Sequence, residues 1–351
     1  VIRASSRELV YLGWQSNNNF GDELIYDFWK AALNRPLDIE APLTLKRYLT
    51  KQIAAFLPDR VRLVGRERAI LLGGGTTVGF GTWARHARLA QRMYGTTRVL
   101  AAGAGAAERG DEFTLSRQPH EWQAWRDLQG FELLGVRGPL TSSACAAELQ
   151  PSPVIGDPAL AYPHFIDVRR RPRNVIGLCL GSEGSSRFEI AEVAEGVQQA
   201  AANMGAEIVL FQMTDADAPV NEQLRRVLGD VDTVVFDGDV LGMMEQIAAC
   251  AAFVSERLHG TIAAVALGVA ATPLPYASKC DDFWLSVCDE RPSLTPQSAA
   301  VEIAQAVLAS RDPIELERIS ERVAVHRAAL IGAAARISQW LDGGAWPEVN
   351  R

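Results

Sequence analysis

The stretch AFVSERLHGTIAAVALGVAATPLPY, residues 252–276, decides the fold. Its first apolar run, Ala252-Phe253-Val254, reads as a strand that gives way to the polar tetrad Ser255-Glu256-Arg257-Leu258, then His259 and Gly260. An Ala/Val/Leu-rich helical pattern runs on to Leu267 and stops at Gly268, and a second apolar run follows. Strand, tight turn, helix and strand form the repeating unit of a parallel α/β sheet. The turn holds Arg257 and His259 two residues apart, where a strand hands over to a helix N-terminus. Open α/β sheets bind ligands at that end of their strands, and a helix N-terminus presents backbone N–H groups to an anion. The chemistry is expected here.

Working outward, the same unit recurs. Residues 8–14 (ELVYLGW) read as the first strand, 15–22 (QSNNNFGD) as a polar turn and 23–33 (ELIYDFWKAAL) as an amphipathic helix with Asp22 as its N-cap. Strands follow at 68–72, 98–102 and 132–136, with helices at 83–94 and 122–128 and one opening at Gly138-Pro139. The run PSPVIGDPALAYP (151–163) and the basic segment RRRPR (169–173) mark a passage between domains. Beyond it, strands are read at 174–180, 207–213 and 233–236, and helices at 187–203 and 241–250. A turn, GSEGSS, occupies 181–186. Helices at 281–288, 298–309 and 314–341 close the chain. This predicts an α/β protein of two Rossmann-like domains facing a cleft: residues 1–168, residues 174–310 and a C-terminal helical segment, 311–351.

The totals narrow the function. The 351 residues are 48% apolar and 22% charged, the composition of a globular protein with room for two cores. A net charge of -7 without an aromatic-laced basic stripe argues against nucleic acid as the partner. The opening VIRASSREL lacks the marks of a signal peptide, so cytoplasmic residence is expected, with contact at the inner face of the membrane left open, as is oligomerisation. The five cysteines show no C-x-x-C spacing and are expected as buried thiols. No G-x-G-x-x-G, P-loop, H-E-x-x-H or G-x-S-x-G occurs, so neither a metal nor a resident cofactor is expected.

Among single residues, Arg257 suits a carboxylate or phosphate through its planar fork, or an ion pair with Glu256 or a helix carboxylate. His259 suits proton transfer near neutral pH, or a capping role. Arg137 ends a strand in the other domain, where it either faces the same ligand or sits in an ion pair. Asp157, in Gly156-Asp157-Pro158-Ala159, is a base, an orienting group or a turn former. Asp22 is a cap or a ligand contact, and Lys279 a counter-charge or a surface lysine. Gly74 and Gly75, after the strand at 68–72, permit a turn close to a ligand. Asn19 and Ser182 lie in polar loops suited to sugar hydroxyls or phosphates. His86, His120, His164 and His326 are read as structural.

Five segments in order resemble the polysaccharide pyruvyl transferase family: Asn19-Phe20-Gly21-Asp22-Glu23, Leu72-Gly73-Gly74-Gly75, Val136-Arg137-Gly138-Pro139-Leu140, Gly156-Asp157-Pro158-Ala159-Leu160 and Ser255-Glu256-Arg257-Leu258-His259-Gly260. The resemblance implies a fold similar to the GT-B glycosyltransferases. It implies transfer of a pyruvyl group from phosphoenolpyruvate to two hydroxyls of a sugar in a cell-surface polysaccharide or glycolipid precursor, giving a pyruvate ketal and phosphate. It maps donor binding onto Arg137 and Arg257, with Leu258 and Lys279 beside them, and the proton-handling histidine onto His259, with Asp157 or Asp22 as its partner. Two departures stand out: the glycine-rich loop, continuing Thr76-Thr77-Val78-Gly79, has no histidine near it, and Glu256 sets a carboxylate beside Arg257. The alternatives are a GT-B-type glycosyltransferase using a nucleotide sugar and a non-catalytic glycan-binding homologue.

Overall fold

A computed structural model describes residues 7–50, 53–108, 111, 120–181 and 187–348, and two parallel sheets organise them. The first part of the chain runs β1 (Arg7–Leu12), α1 (Phe20–Leu33), α2 (Leu45–Leu49), α3 (Ile53–Arg62), β2 (Glu67–Leu72), α4 (Gly81–Tyr94), β3 (Val99–Ala101), α5 (Trp122–Arg126), β4 (Phe131–Leu133) and α6 (Pro139–Glu148). A 3-10 turn, Pro158–Ala161, and α7 (Tyr162–Phe165) lead out of it. The second part runs β5 (Val175–Cys179), α8 (Ile190–Met204), β6 (Glu207–Gln212), a 3-10 turn at Asp215–Asp217, α9 (Ala218–Leu228), β7 (Asp232–Val235), α10 (Val240–Ala248), β8 (Ala252–Ser255), α11 (Leu258–Ala266) and β9 (Ala270–Pro273). Helices α12 (Ser278–Cys288), α13 (Ala300–Ala309) and α14 (Pro313–Leu341) follow.

The first sheet has the order β1-β2-β3-β4, and the second β7-β6-β5-β8-β9. In the second, the chain moves outward from β5 to β7, then returns to place β8 on the other side of β5. That reversal opens a crevice between the loops that follow β5 and β8, where open α/β sheets bind ligands.

Alternation along the strands explains why the sheets are covered on both faces. Val10, Leu12, Ile70 and Leu72 turn outward to pack with Tyr48, Trp83 and Tyr94. Leu9, Tyr11 and Leu71 face the other way and join Phe20, Phe28 and Trp29 of α1 in a core that continues into Phe211 and Phe253 of the second sheet. Each such side chain, fully buried, contributes roughly 1.5–3 kcal/mol of transfer free energy, so this shared core binds the two sheets together. Trp29 also donates its indole N–H to the Gly73 carbonyl at 2.7 Å, which fixes α1 against the glycine-rich turn. Helix α14 returns from the second part to pack on α1, β1 and the 3-10 turn at Pro158–Ala161.

Three readings are revised. Helix α1 begins at Phe20, so its N-cap is Asn19, whose side chain accepts from the Gly21 N–H, and not Asp22, which lies in the first turn. The strand expected at 132–136 is β4, ending at Leu133; beyond it Val136 makes only isolated bridges with Ala104 and Val154. Helices α2, α3 and α9 were not anticipated, and α3 buries none of its residues. All five cysteines are free and buried.

Candidate functional site

At the crevice of the second sheet, Glu256 is buried and does not pair with Arg257. Its carboxylate accepts from the backbone N–H groups of Gly181 at 2.8 Å and Arg187 at 2.6 Å, holding both ends of the loop after β5. Ser182, proposed for ligand contact, lies in that loop and outside the described residues.

Arg257, the residue capping α11, reaches instead to the end of β6. Its guanidinium donates to the carboxylate of Asp217 and, at 3.2 Å, to the Thr214 hydroxyl. Asp217 is itself buried and accepts from the N–H groups of Met213 and Thr214, each at 3.1 Å. Burial alone would lower the Arg257 pKa; the Asp217 charge and hydrogen bond outweigh it, and the pKa is raised. Leu258, the first residue of α11, is buried beside it.

His259 meets the first part of the chain at α1. A Cβ at Gly21 would sit 2.1 Å from His259 Nδ1, so only glycine allows this approach. Phe20 N–H donates to the Met213 carbonyl at 3.0 Å and Asn19 bridges to Thr214, pinning the N-terminus of α1 to the end of β6. The starts of α1 and α11 therefore flank one imidazole. His259 Nε2 lies 3.9 Å from Asp157 Oδ2, too far for a hydrogen bond, and neither atom has another partner although both are buried. The other Asp157 oxygen accepts from the Ala159 N–H at 3.0 Å and caps the 3-10 turn.

Arg137 is fully buried. It lies against Gly105, where a Cβ would stand 2.3 Å from its Nη2. Its Nη1 donates to Thr76 Oγ1 at 3.2 Å, and its Nε lies 3.5 Å from Asp282 Oδ2. Asp282, from α12, also accepts from the N–H groups of Leu140 and Thr141 and from the Thr141 hydroxyl, which caps α6. Arg137 Nε and Nη2 remain without a hydrogen-bond partner. Gly74 and Gly75, at φ 135° and 70°, make the turn that delivers Thr76 to this guanidinium. Lys279 Nζ lies over the Tyr276 ring, 4.8 Å from its centroid.

The electrostatics bind these groups into one unit. Burial, then the charges of Arg137 and Lys279, pushes the His259 pKa down to about 3, so the imidazole is neutral at neutral pH. Burial raises Asp157 to about 6 against the pull of Arg137. Burial, with help from Glu23 and Asp157 and against Lys279, raises Asp22 to about 7. A neutral imidazole thus lies 3.9 Å from the Asp157 carboxyl, and Asp22, next in the chain to the Gly21 that packs on the imidazole, is a second carboxyl with a raised pKa; such groups are suited to moving protons. This corrects the expectation that His259 itself titrates near neutral pH.

Asp22, Arg137, Asp157, His259 and Lys279 are thereby brought together, with Asn19, Arg257 and Leu258 at the edge and Gly74 and Gly75 in support. Four contributors escaped the sequence reading: Gly21, Thr76, Asp217 and Asp282. Asp217 had a signal, since Thr214 and Asp217 form a capping box directly after a strand. Gly21 lies inside the family segment 19–23, where it was given no role; Thr76 and Asp282 mark no pattern.

The family model of polysaccharide pyruvyl transferases matches residues 19–278, most of the chain. The chain belongs to the polysaccharide pyruvyl transferase family. The match begins at the Asn19 cap and ends at the first residue of α12, so it contains Asp22, Arg137, Asp157, Arg257 and His259. No curated protein matches the sequence. Among solved structures, a putative UDP-N-acetylglucosamine 2-epimerase from Listeria monocytogenes superposes with a TM-score of 0.65 at 12% identity, over 98% of this chain and 99% of that one. The UDP-N-acetylglucosamine 2-epimerase from Neisseria meningitidis gives 0.60 at 10% identity, over 95% and 99%. The calicheamicin glycosyltransferase CalG4 gives 0.51 at 13% identity, over 97% and 98%. These likenesses establish a GT-B-type architecture for this member of the pyruvyl transferase family.

Proposed function

We propose that this protein transfers a pyruvyl group from phosphoenolpyruvate to two hydroxyls of a sugar, forming a pyruvate ketal and releasing phosphate. The observation that carries the reading is a set of buried polar atoms with no hydrogen-bond partner among the described residues: Arg137 Nε and Nη2, Arg257 Nε, His259 Nε2 and Asp157 Oδ2. Buried polar groups cost free energy unless they are hydrogen-bonded, so such a set is explained by a ligand rich in acceptors and hydroxyls. Phosphoenolpyruvate carries a carboxylate and a phosphate, both acceptors for guanidinium N–H groups. Asp282 and Asp217 hold Arg137 and Arg257 in place, so neither guanidinium has to be ordered when the ligand enters.

The reaction needs a proton delivered to the methylene carbon of the donor. A carboxyl group titrating near neutrality can supply it, and Asp22, at about 7, is the better matched of the two. The resulting cationic carbon is attacked by a sugar hydroxyl, whose proton passes to the neutral imidazole of His259. The C–O bond to phosphate then breaks and the phosphate leaves with the proton held by His259; the second hydroxyl attacks the same carbon, its proton returns to the Asp22 carboxylate, and the ring closes. A bound dianion offsets the Arg137 and Lys279 charges that depress His259, which makes the imidazole a stronger base in the complex. Exclusion of water protects the cationic intermediate.

The test is mass spectrometry of the surface glycan from a strain lacking the gene. Loss of a pyruvyl group that returns with the wild-type gene is expected. Unchanged pyruvylation together with loss of a sugar residue contradicts the proposal and favours a nucleotide-sugar glycosyltransferase.

A further inference from the structure

Helices α2 and α3 and the turn after α3 carry six of the thirteen large apolar side chains exposed among the described residues: Leu45, Leu49, Ile53, Leu57, Val61 and, in the turn, Val64. Ile53, Leu57 and Val61 recur at i, i+4 spacing along α3, so they form one stripe, and Val64 follows in the turn at its end. Val61 and Val64 are 73% and 76% exposed, whereas the helix packs inward through Phe56, whose ring meets Tyr48 and Tyr94 at 5.1 and 5.5 Å. The helix thus already has its inward face, and the stripe is a second apolar face.

Positive charge frames it. Residues 45–68 hold seven Lys and Arg against two acids, in a chain whose net charge is -7. Lys46 and Arg47 on α2 are exposed, and no acid pairs with either among the described residues. At the other end, Arg66, Arg68, Arg88, Arg92 and Arg98 line a cavity of about 700 Å³, together with Glu67 and Asp127. Glu67 is already engaged by Arg7 and Arg98. Arg60, on α3, lies against Gly95, which lines the cavity: a Cβ there would stand 3.4 Å from Arg60 Nη1.

We propose that this face docks on an anionic lipid bilayer, with the apolar stripe inserted at the interface and the arginine-lined cavity receiving lipid phosphates. An apolar face bordered by Lys and Arg is the composition that lies in a bilayer interface, and basic groups near an anionic surface add to the binding. A second copy of this chain fits worse, because a two-fold contact would set the basic borders against each other. Among the described residues no helix is long and apolar enough to cross a membrane. The surface stands apart from His259 and Arg257, and the proposal does not depend on the donor.

Co-sedimentation of the full chain with vesicles tests it, using phosphatidylcholine alone and an equimolar mixture with phosphatidylglycerol. The wild type is expected to pellet with the mixed vesicles, to stay in solution with phosphatidylcholine alone and to be released by high salt. Leu57→Ser/Val61→Ser and Lys46→Glu/Arg47→Glu should each bind roughly tenfold more weakly or worse, with melting temperature and phosphoenolpyruvate binding unchanged. Absence of wild-type binding to mixed vesicles, or wild-type binding by both variants, overturns the proposal. So does a wild-type dimer in light scattering that Leu57→Ser/Val61→Ser converts to a monomer, which would assign the stripe to a second copy.

Discussion

His259 is neutral because it is buried beside two cations, and its Nε2 has no partner. Replacing it by Gln keeps a polar group of similar reach but removes the base. The expected result is a fall in kcat of roughly 10²–10⁴, with phosphoenolpyruvate affinity little changed, measured by phosphate release and by equilibrium binding. Wild-type turnover would remove His259 from the reaction. Asp22 has a folded pKa of about 7 against an ordinary 3.8. A carboxyl raised in this way contributes stability that is complete below the ordinary value and is lost as pH rises through the folded one. Asp22→Asn lacks that dependence, so its melting temperature should gain on the wild type between pH 4 and pH 8 and level off above. A constant difference across this range would show that Asp22 ionises normally. Arg257 and His259 were legible in the sequence, because an arginine and a histidine after a strand stand out. Asp157 was read, with Asp22, as a partner for His259, but Asp217 was not named for Arg257: it comes from another loop, and only the fold brings it near.

At the scale of elements, the N-terminus of α1 does what its sequence does not reveal. Asn19 caps it, Phe20 bonds the end of β6, and Gly21 lies flush against the imidazole. Gly21→Ala forces a methyl group onto His259 Nδ1 or moves the helix. The expected cost is roughly 1–3 kcal/mol of stability, read by urea unfolding, with a larger proportional loss of turnover than of donor binding. Unchanged turnover would mean that His259 can shift without consequence. The βαβ units themselves were readable because their strands are buried on both faces and so appear as unbroken apolar runs. Helices α2 and α3 were not, since a helix that buries almost nothing gives no inward periodicity to read.

At the scale of the molecule, one core runs through both sheets, and α14 ties the end of the chain back to α1 and β1. The start of α1 bonds the end of β6 and lies against His259 at the start of α11, so residues from both halves share one site. The order of motifs along the chain pointed to this two-part architecture, but not to the carboxylate holding each arginine. The account depends most on the donor, and isothermal titration calorimetry tests it directly. Phosphoenolpyruvate should bind the wild type saturably at one site, and Arg257→Ala should weaken it by roughly tenfold or more, while UDP gives no saturable heat. Saturable binding of UDP with none of phosphoenolpyruvate would contradict the account.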